Sequence, residues 1–200
     1  MATQTGQTLS APLIRHLVPV RSAVLRIPLQ ITLGVVAMAL LAQVRIEIGP
    51  VPITGQTLGV LLIGAAYGAG LGSLTLLAYL IVGGLGLGVF TGAGAGWSYF
   101  SGATAGYLLS YPLVAGVVGY LAQRGWDRRF STTALAMLVG SVLIYLPGVL
   151  WLSTFAPADT AALRWALGAG LVPFIVGDTV KLLIAAALLP SVWGLFGRRS

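Results

Sequence analysis

From Ile48 to Gln123 the chain reads IGPVPITGQTLGVLLIGAAYGAGLGSLTLLAYLIVGGLGLGVFTGAGAGWSYFSGATAGYLLSYPLVAGVVGYLAQ, without a single Asp, Glu, Lys or Arg. An ionised side chain at mid-bilayer costs about 2.5–3.5 kcal/mol on insertion scales, and a helical crossing needs about 20 residues. A charge-free run of this length, punctuated by glycine and proline turns, predicts about three crossings. Upstream, Ile27 to Val44 lies between Arg26 and Arg45 and holds one more. Downstream, Phe130 to Ala158 supplies another. The last lies between Arg164 and Arg198 and contains Asp178 and Lys181, the charges that must sit inside a crossing. The expectation is an all-α integral membrane protein with six transmembrane helices. Composition agrees: of 200 residues 58% are hydrophobic and 8% charged, with mean hydropathy +0.97, whereas a soluble domain carries about 25% charged residues.

The arginines test that count. With six crossings both termini share a side, and Arg15, Arg21, Arg26, Arg124, Arg128, Arg129, Arg198 and Arg199 all fall there. Opposite them, Arg45 and Arg164 cancel Glu47 and Asp159. Basic loops mark the cytoplasmic face, so the termini are expected in the cytoplasm and the chain in the cytoplasmic (inner) membrane. The net charge of +7 is then loop anchoring, and no nucleic-acid partner is expected. Residues 1–26 read as an interfacial arm, 27–195 as one transmembrane domain, and 196–200 as a basic cytoplasmic tail. The arm is no secretory signal, because its first basic residue is Arg15 and its apolar segment begins late. His16, the sole histidine, has no neighbouring ligands and reads as a surface residue.

Several chemistries are excluded at this stage. Cysteine is absent, which removes thiol nucleophiles and Cys-ligated metals. No phosphate-binding glycine motif occurs, so nucleotide binding is not expected. With one histidine, no paired carboxylates and no serine–histidine arrangement, the residues assemble no acid–base or nucleophilic machinery, and the chain is expected not to be an enzyme. One Asp–Lys pair makes neither a charge ring nor a filter, which argues against a channel. No cofactor is expected.

Three segments break the apolar monotony. Gly49-Pro50-Val51-Pro52-Ile53-Thr54-Gly55-Gln56-Thr57 joins the first two helices, and its two prolines impose a stiff extended path. It reads as a flap over a cavity, with Gln56 and Thr57 entering the second helix as polar groups that are costly against lipid. Gly83 to Gly106 holds nine of the 28 glycines. Gly84, Gly88, Gly92 and Gly96 have the spacing of a close helix–helix seam, but the interspersed Thr91, Trp97, Ser98, Tyr99, Ser101 and Thr104 favour irregular backbone beside a cavity. In Gly177-Asp178-Thr179-Val180-Lys181, the two charges are three apart and project from one helical face. Intramembrane charges of this kind face a bundle interior or a water-filled cavity.

Such a pocket is bounded chemically. Lys181 offers a cation to a carboxylate, Asp178 accepts N–H donors, and Trp97, Tyr99, Phe100 and Tyr107 offer aromatic cover. The complement is a small amphiphile with an acid at one end and N–H groups at the other.

Four motifs stand in order: Pro50-Val51-Pro52-Ile53-Thr54-x-Gln56-Thr57-Leu58, Val89-Phe90-Thr91-Gly92, Gly102-x-Thr104-x-Gly106-Tyr107-Leu108, and Pro173-x-x-x-Gly177-Asp178-x-x-Lys181. Together they resemble the biotin transporter BioY family over roughly residues 30 to 190. The resemblance implies a six-helix substrate-binding (S) component of an energy-coupling factor vitamin transporter, with an outward-facing pocket under the flap and the glycine-rich loop. It implies biotin as ligand, with Asp178 accepting from the ureido N–H groups, Lys181 meeting the carboxylate and Gln56 closing the flap. Thr91 and Tyr107 would add polar and stacking contacts. It further implies a transmembrane coupling subunit and two ATPase subunits as partners. The first helix lacks a strict Ala-x-x-x-Ala seam, which leaves a homo-oligomer or a solitary facilitator open; because scaffold does not determine ligand, a different small vitamin or carboxylate also stays open.

Overall fold

A computed structural model describes residues 23–196. The arm expected over 1–26, with His16, lies almost wholly outside the described residues, as does the basic tail. Among the described residues seven α-helices follow in order: α1 Ala23–Gln43, α2 Gln56–Tyr67, α3 Ala69–Gly84, α4 Ala105–Gln123, α5 Phe130–Leu152, α6 Ala162–Gly170 and α7 Phe174–Phe196.

Four of the described helices, α1, α4, α5 and α7, have the length and apolarity to cross a membrane. The region read as three crossings contains three apolar helices, α4 and the shorter α2 and α3, of 12 and 16 residues. At 1.5 Å per residue these reach only about 18 and 24 Å, against about 30 Å of hydrocarbon. The break is local. Gly68, at φ 81°, ends α2 and starts α3, in a conformation that only glycine adopts without strain. The two helices return on one another, since Gln56 at the head of α2 bonds Tyr79 near the end of α3.

Glycine also sets how closely the bundle packs. A Cβ on Gly119 of α4 would lie 2.4 Å from the Gly68 carbonyl carbon, and one on Gly64 would lie 2.7 Å from the Ala115 oxygen. Backbone thus meets backbone where α4 crosses the α2–α3 turn, the close approach that small residues permit in membranes. Around it Met38, Val60, Leu76, Tyr79, Phe90, Ile144 and Leu152 are fully buried. Leu33, Val36, Leu40, Leu138, Val142, Leu146, Ile175 and Leu183 are exposed on the outer faces of α1, α5 and α7, where lipid is their natural solvent. α6 was not foreseen from charge spacing, because nine residues are too few for a crossing.

The expected flap is a short antiparallel ribbon, β1 Arg45–Ile46 paired with β2 Ile53–Thr54. Its exit is fastened to α1: the Gly55 N–H donates to the carbonyls of Leu41 and Val44, at 3.1 and 3.0 Å. Leu41 stands in the last turn of α1, whose carbonyls have no partner within the helix, and Val44 follows directly after its end. At the opposite end of the bundle, the α4–α5 turn buries Asp127, whose Oδ2 accepts from Trp193 Nε1–H of α7. Burial pushes the Asp127 carboxyl above the usual carboxylate range, although the Trp193 hydrogen bond and the Arg128 charge pull the other way.

Candidate ligand-binding site

The site assembles where the flap, the glycine-rich loop and α7 converge. Lys181 of α7 is half-buried, and its Nζ donates to three acceptors: Asp178 Oδ1 at 2.7 Å, the Thr54 carbonyl at 2.7 Å and Thr57 Oγ1 at 3.0 Å. An ammonium has three donors, so each is used, and two of them reach to the flap and the head of α2. Asp178 is equally engaged. Its Oδ1 takes Lys181 and the Thr57 hydroxyl, at 3.3 Å, while Oδ2 takes the Tyr145 hydroxyl. Two charges held this deep are costly to desolvate, and only such full hydrogen bonding makes the pair tolerable.

Gln56 organises the neighbouring wall. Its Oε1 accepts from Thr54 Oγ1 at 3.1 Å and Thr91 Oγ1 at 3.0 Å, and its Nε2 donates to Tyr79 Oη at 2.9 Å. Tyr79 in turn donates to the Val89 carbonyl at 2.9 Å. One buried amide therefore ties the flap, α2, α3 and the glycine-rich loop together. Between this wall and Lys181 lies a cavity of about 40 Å³, lined by Val51, Thr54, Gln56, Thr57, Thr91, Tyr99, Thr104, Tyr107, Tyr111, Tyr145, Phe174 and Lys181 among others. That volume suits a few waters, whereas pockets for small organic ligands run to about 300–1,000 Å³.

Of the five site residues expected from sequence, Gln56, Thr91, Tyr107 and Lys181 line this cavity. Asp178 does not; it stands behind Lys181 and faces an almost wholly apolar groove of about 500 Å³ that opens on the outer surface of α5, α6 and α7. Tyr145 lines both and bonds Asp178. The Tyr107 hydroxyl donates to the Gly170 carbonyl at 2.9 Å, so its ring, not its oxygen, is offered to the cavity. Trp97, expected as aromatic cover, is 62% exposed and packs over Gly84 instead.

The residues between 85 and 104 form no helix–helix seam. Two short 3₁₀ turns, Thr91–Ala93 and Trp97–Ser101, shape the loop, and Phe90 is fully buried beneath it, stacked on Tyr99 at 4.8 Å between ring centroids.

A family model described as the BioY family matches residues 12–198. The chain belongs to the BioY family. Among relatives, a Pyrococcus horikoshii protein named probable biotin transporter BioY is 35% identical over 76% of this chain and 87% of its own length. A Rhizobium etli protein named biotin transporter BioY is 35% identical over 77% and 84% respectively. A crystal structure titled as the S-component for biotin from an ECF-type ABC transporter superposes with TM-score 0.70 at 23% identity, covering 84% of this chain and 90% of that one. At that identity the likeness is one of fold.

Within this BioY-family chain, sequence reasoning missed Tyr79, Tyr111, Tyr145 and Phe174. Tyrosine in an apolar helix reads as core or interface belt, and only the Tyr107–Tyr111 spacing, four apart in α4, carried a signal that both face one cavity. Tyr145 and Phe174 meet through tertiary packing, with their rings 5.9 Å apart and inclined at 61°.

Proposed function

We propose that the chain is the substrate-binding component for biotin uptake, and that the small polar cavity is the collapsed form of its binding chamber. In this reading α1, the α2–α3 hairpin, α4, α5 and α7 make six crossings, with both termini cytoplasmic in the inner membrane and the flap on the outer side. The observation that carries it is Lys181: a half-buried intramembrane cation whose three protein acceptors include a backbone carbonyl of a flap. A ligand carboxylate is a stronger acceptor for an ammonium than a neutral carbonyl or hydroxyl. On entry it displaces Thr54 and Thr57 from Lys181, which lifts the flap away from α7 and opens the chamber.

Asp178 then acts chiefly as the counter-charge that keeps Lys181 ionised and aimed, with Tyr145 fixing its other oxygen. Thr91 and Gln56 offer hydroxyl and amide groups to the ureido ring, and Tyr107, Tyr111 and Phe174 enclose the thioether bicycle. Energy for release inward comes from elsewhere in this reading, from a transmembrane coupling subunit with two ATPases. The chain's kinship with proteins named as biotin transporters supports it, as does its fold likeness to a biotin S-component.

The test is mass spectrometry of small molecules retained by the purified protein, followed by calorimetric titration with biotin. Retention of biotin, lost in Lys181→Ala, is the expected result. Retention of a different vitamin would overturn the ligand while keeping the site, and binding unchanged in Lys181→Ala would overturn the site.

A further inference from the structure

Gln43, the last residue of α1, lies outside the cavity, and neither the flap nor the charge pair involves it. Its side chain nonetheless spans to the glycine-rich loop 47 and 50 residues on. Gln43 Nε2 donates to the Phe90 carbonyl at 3.0 Å, and Gln43 Oε1 accepts from the Ala93 N–H at 3.2 Å. A primary amide has one donor face and one acceptor face side by side, so this two-point pairing reproduces what a neighbouring strand would offer to the loop.

The segment that it grips is strained. Phe90 and Gly94 close a tight loop through an isolated antiparallel bridge, the Phe90 N–H donating to the Gly94 carbonyl at 3.0 Å. Inside it Gly92 and Ala93 both have positive φ, 69° and 57°. For alanine that region is disfavoured by about 1 kcal/mol or more. The strained Ala93 is the residue whose amide Gln43 holds. Arg45 of β1 also lies close over the loop, so that a Cβ on Gly92 would stand 2.0 Å from its Nη1. Within the same loop, Thr91 reaches inward to Gln56 and lines the cavity.

We infer that Gln43 is a positioning residue, an amide clamp by which the end of α1 holds the Phe90–Gly94 loop closed over the chamber. The inference rests on the binding reading above for what the chamber holds, but not for the clamp itself. Lengthening or breaking the clamp releases Ala93 to relax, withdraws Thr91 from the cavity wall and opens an exit past the loop. Because the clamp acts on a closed loop, its loss speeds departure of the ligand more than it slows arrival.

Two measurements on the full chain, in detergent or nanodiscs, test this. Hydrogen exchange over residues 89–96 is compared among the parent, Gln43→Ala and Gln43→Glu, without ligand. Gln43→Ala removes both clamp bonds and is expected to speed exchange there about three- to tenfold, the range for two partly exposed hydrogen bonds at the low end of their net worth. Gln43→Glu keeps the acceptor for Ala93 but loses the donor to Phe90, and is expected to fall between. Biotin dissociation, followed by chase, is expected to quicken by a similar factor in Gln43→Ala, with association changed less than twofold. Exchange in 89–96 unchanged in Gln43→Ala overturns the clamp, as does faster exchange with dissociation unchanged. If the parent itself binds no biotin, the functional reading fails and the exchange comparison alone decides the clamp. A general loss of fold would raise exchange across α1 and α4 as well. The double variant Gln43→Ala, Ala93→Gly guards against that, since glycine removes the strain and is expected to bring the 89–96 exchange part-way back.

Discussion

Tyr145 donates its hydroxyl proton to Asp178 Oδ2, so that Oδ1 alone faces Lys181. The carboxylate is thereby shared among neighbours on three helices, Thr57 of α2, Tyr145 of α5 and Lys181 of α7, with Tyr145 standing between the polar cavity and the apolar groove. Tyr145→Phe removes that donor while keeping the ring. It is expected to lower stability by about 1–3 kcal/mol, the cost of leaving a buried acceptor unmatched, read as a fall in melting temperature in detergent. If melting is unchanged, Asp178 does not depend on Tyr145.

Removing either charge alone leaves the other buried without its partner, whereas removing both does not. Lys181→Ala is expected to cost about 3–5 kcal/mol of stability and to weaken biotin binding at least about 100-fold. Lys181→Met combined with Asp178→Leu is expected to recover much of the lost stability with binding still absent. Calorimetry and thermal melts on the three proteins separate the two effects. A double variant that melts as low as the single one would contradict the account of the pair.

Two glycines, both within helices, should respond oppositely. Gly119→Ala drives a methyl to within 2.4 Å of backbone at the α2–α3 turn, while a Cβ on Gly70 meets nothing within 4 Å. Backbone cannot step aside as a side chain does, so Gly119→Ala is expected to cost about 3 kcal/mol or more, at the upper end for overpacking. Gly70→Ala is expected to gain up to about 1 kcal/mol from reduced chain entropy in a helix. Yields of folded protein and melting curves check both.

The buried Asp127 makes stability depend on pH. Its carboxyl titrates above the ordinary range in the folded chain because burial disfavours the ion. The folded state therefore binds the proton more tightly than the unfolded state does. Its contribution to stability is fully present below the ordinary carboxylate pKa of about 4, and is lost as pH rises through the raised value. Asp127→Asn is expected to flatten that dependence in melting curves taken across the acid range. Trp193→Phe, which removes a hydrogen bond that favours the ion, is expected to steepen it.

What the linear chain determined by itself is the set of properties governed by transfer energies and by spacing along one helix. Charge is too costly at mid-bilayer to be placed casually, so the blanks between Arg26, Arg45, Arg124 and Arg164 mark apolar helices, and Asp178 and Lys181, three apart, must share a face. Tertiary structure alone decided which way each group is spent. A hydrogen bond is short-ranged and directional, so nothing in sequence distance reveals that Lys181 reaches Thr54 or that Gln43 reaches Ala93, each across more than 45 residues. Nor does spacing disclose that Gly68 folds α2 back on α3, or that Tyr145 stands between the polar cavity and the apolar groove. Those depend on where separate helices come to rest against each other, which is settled by packing of the whole bundle.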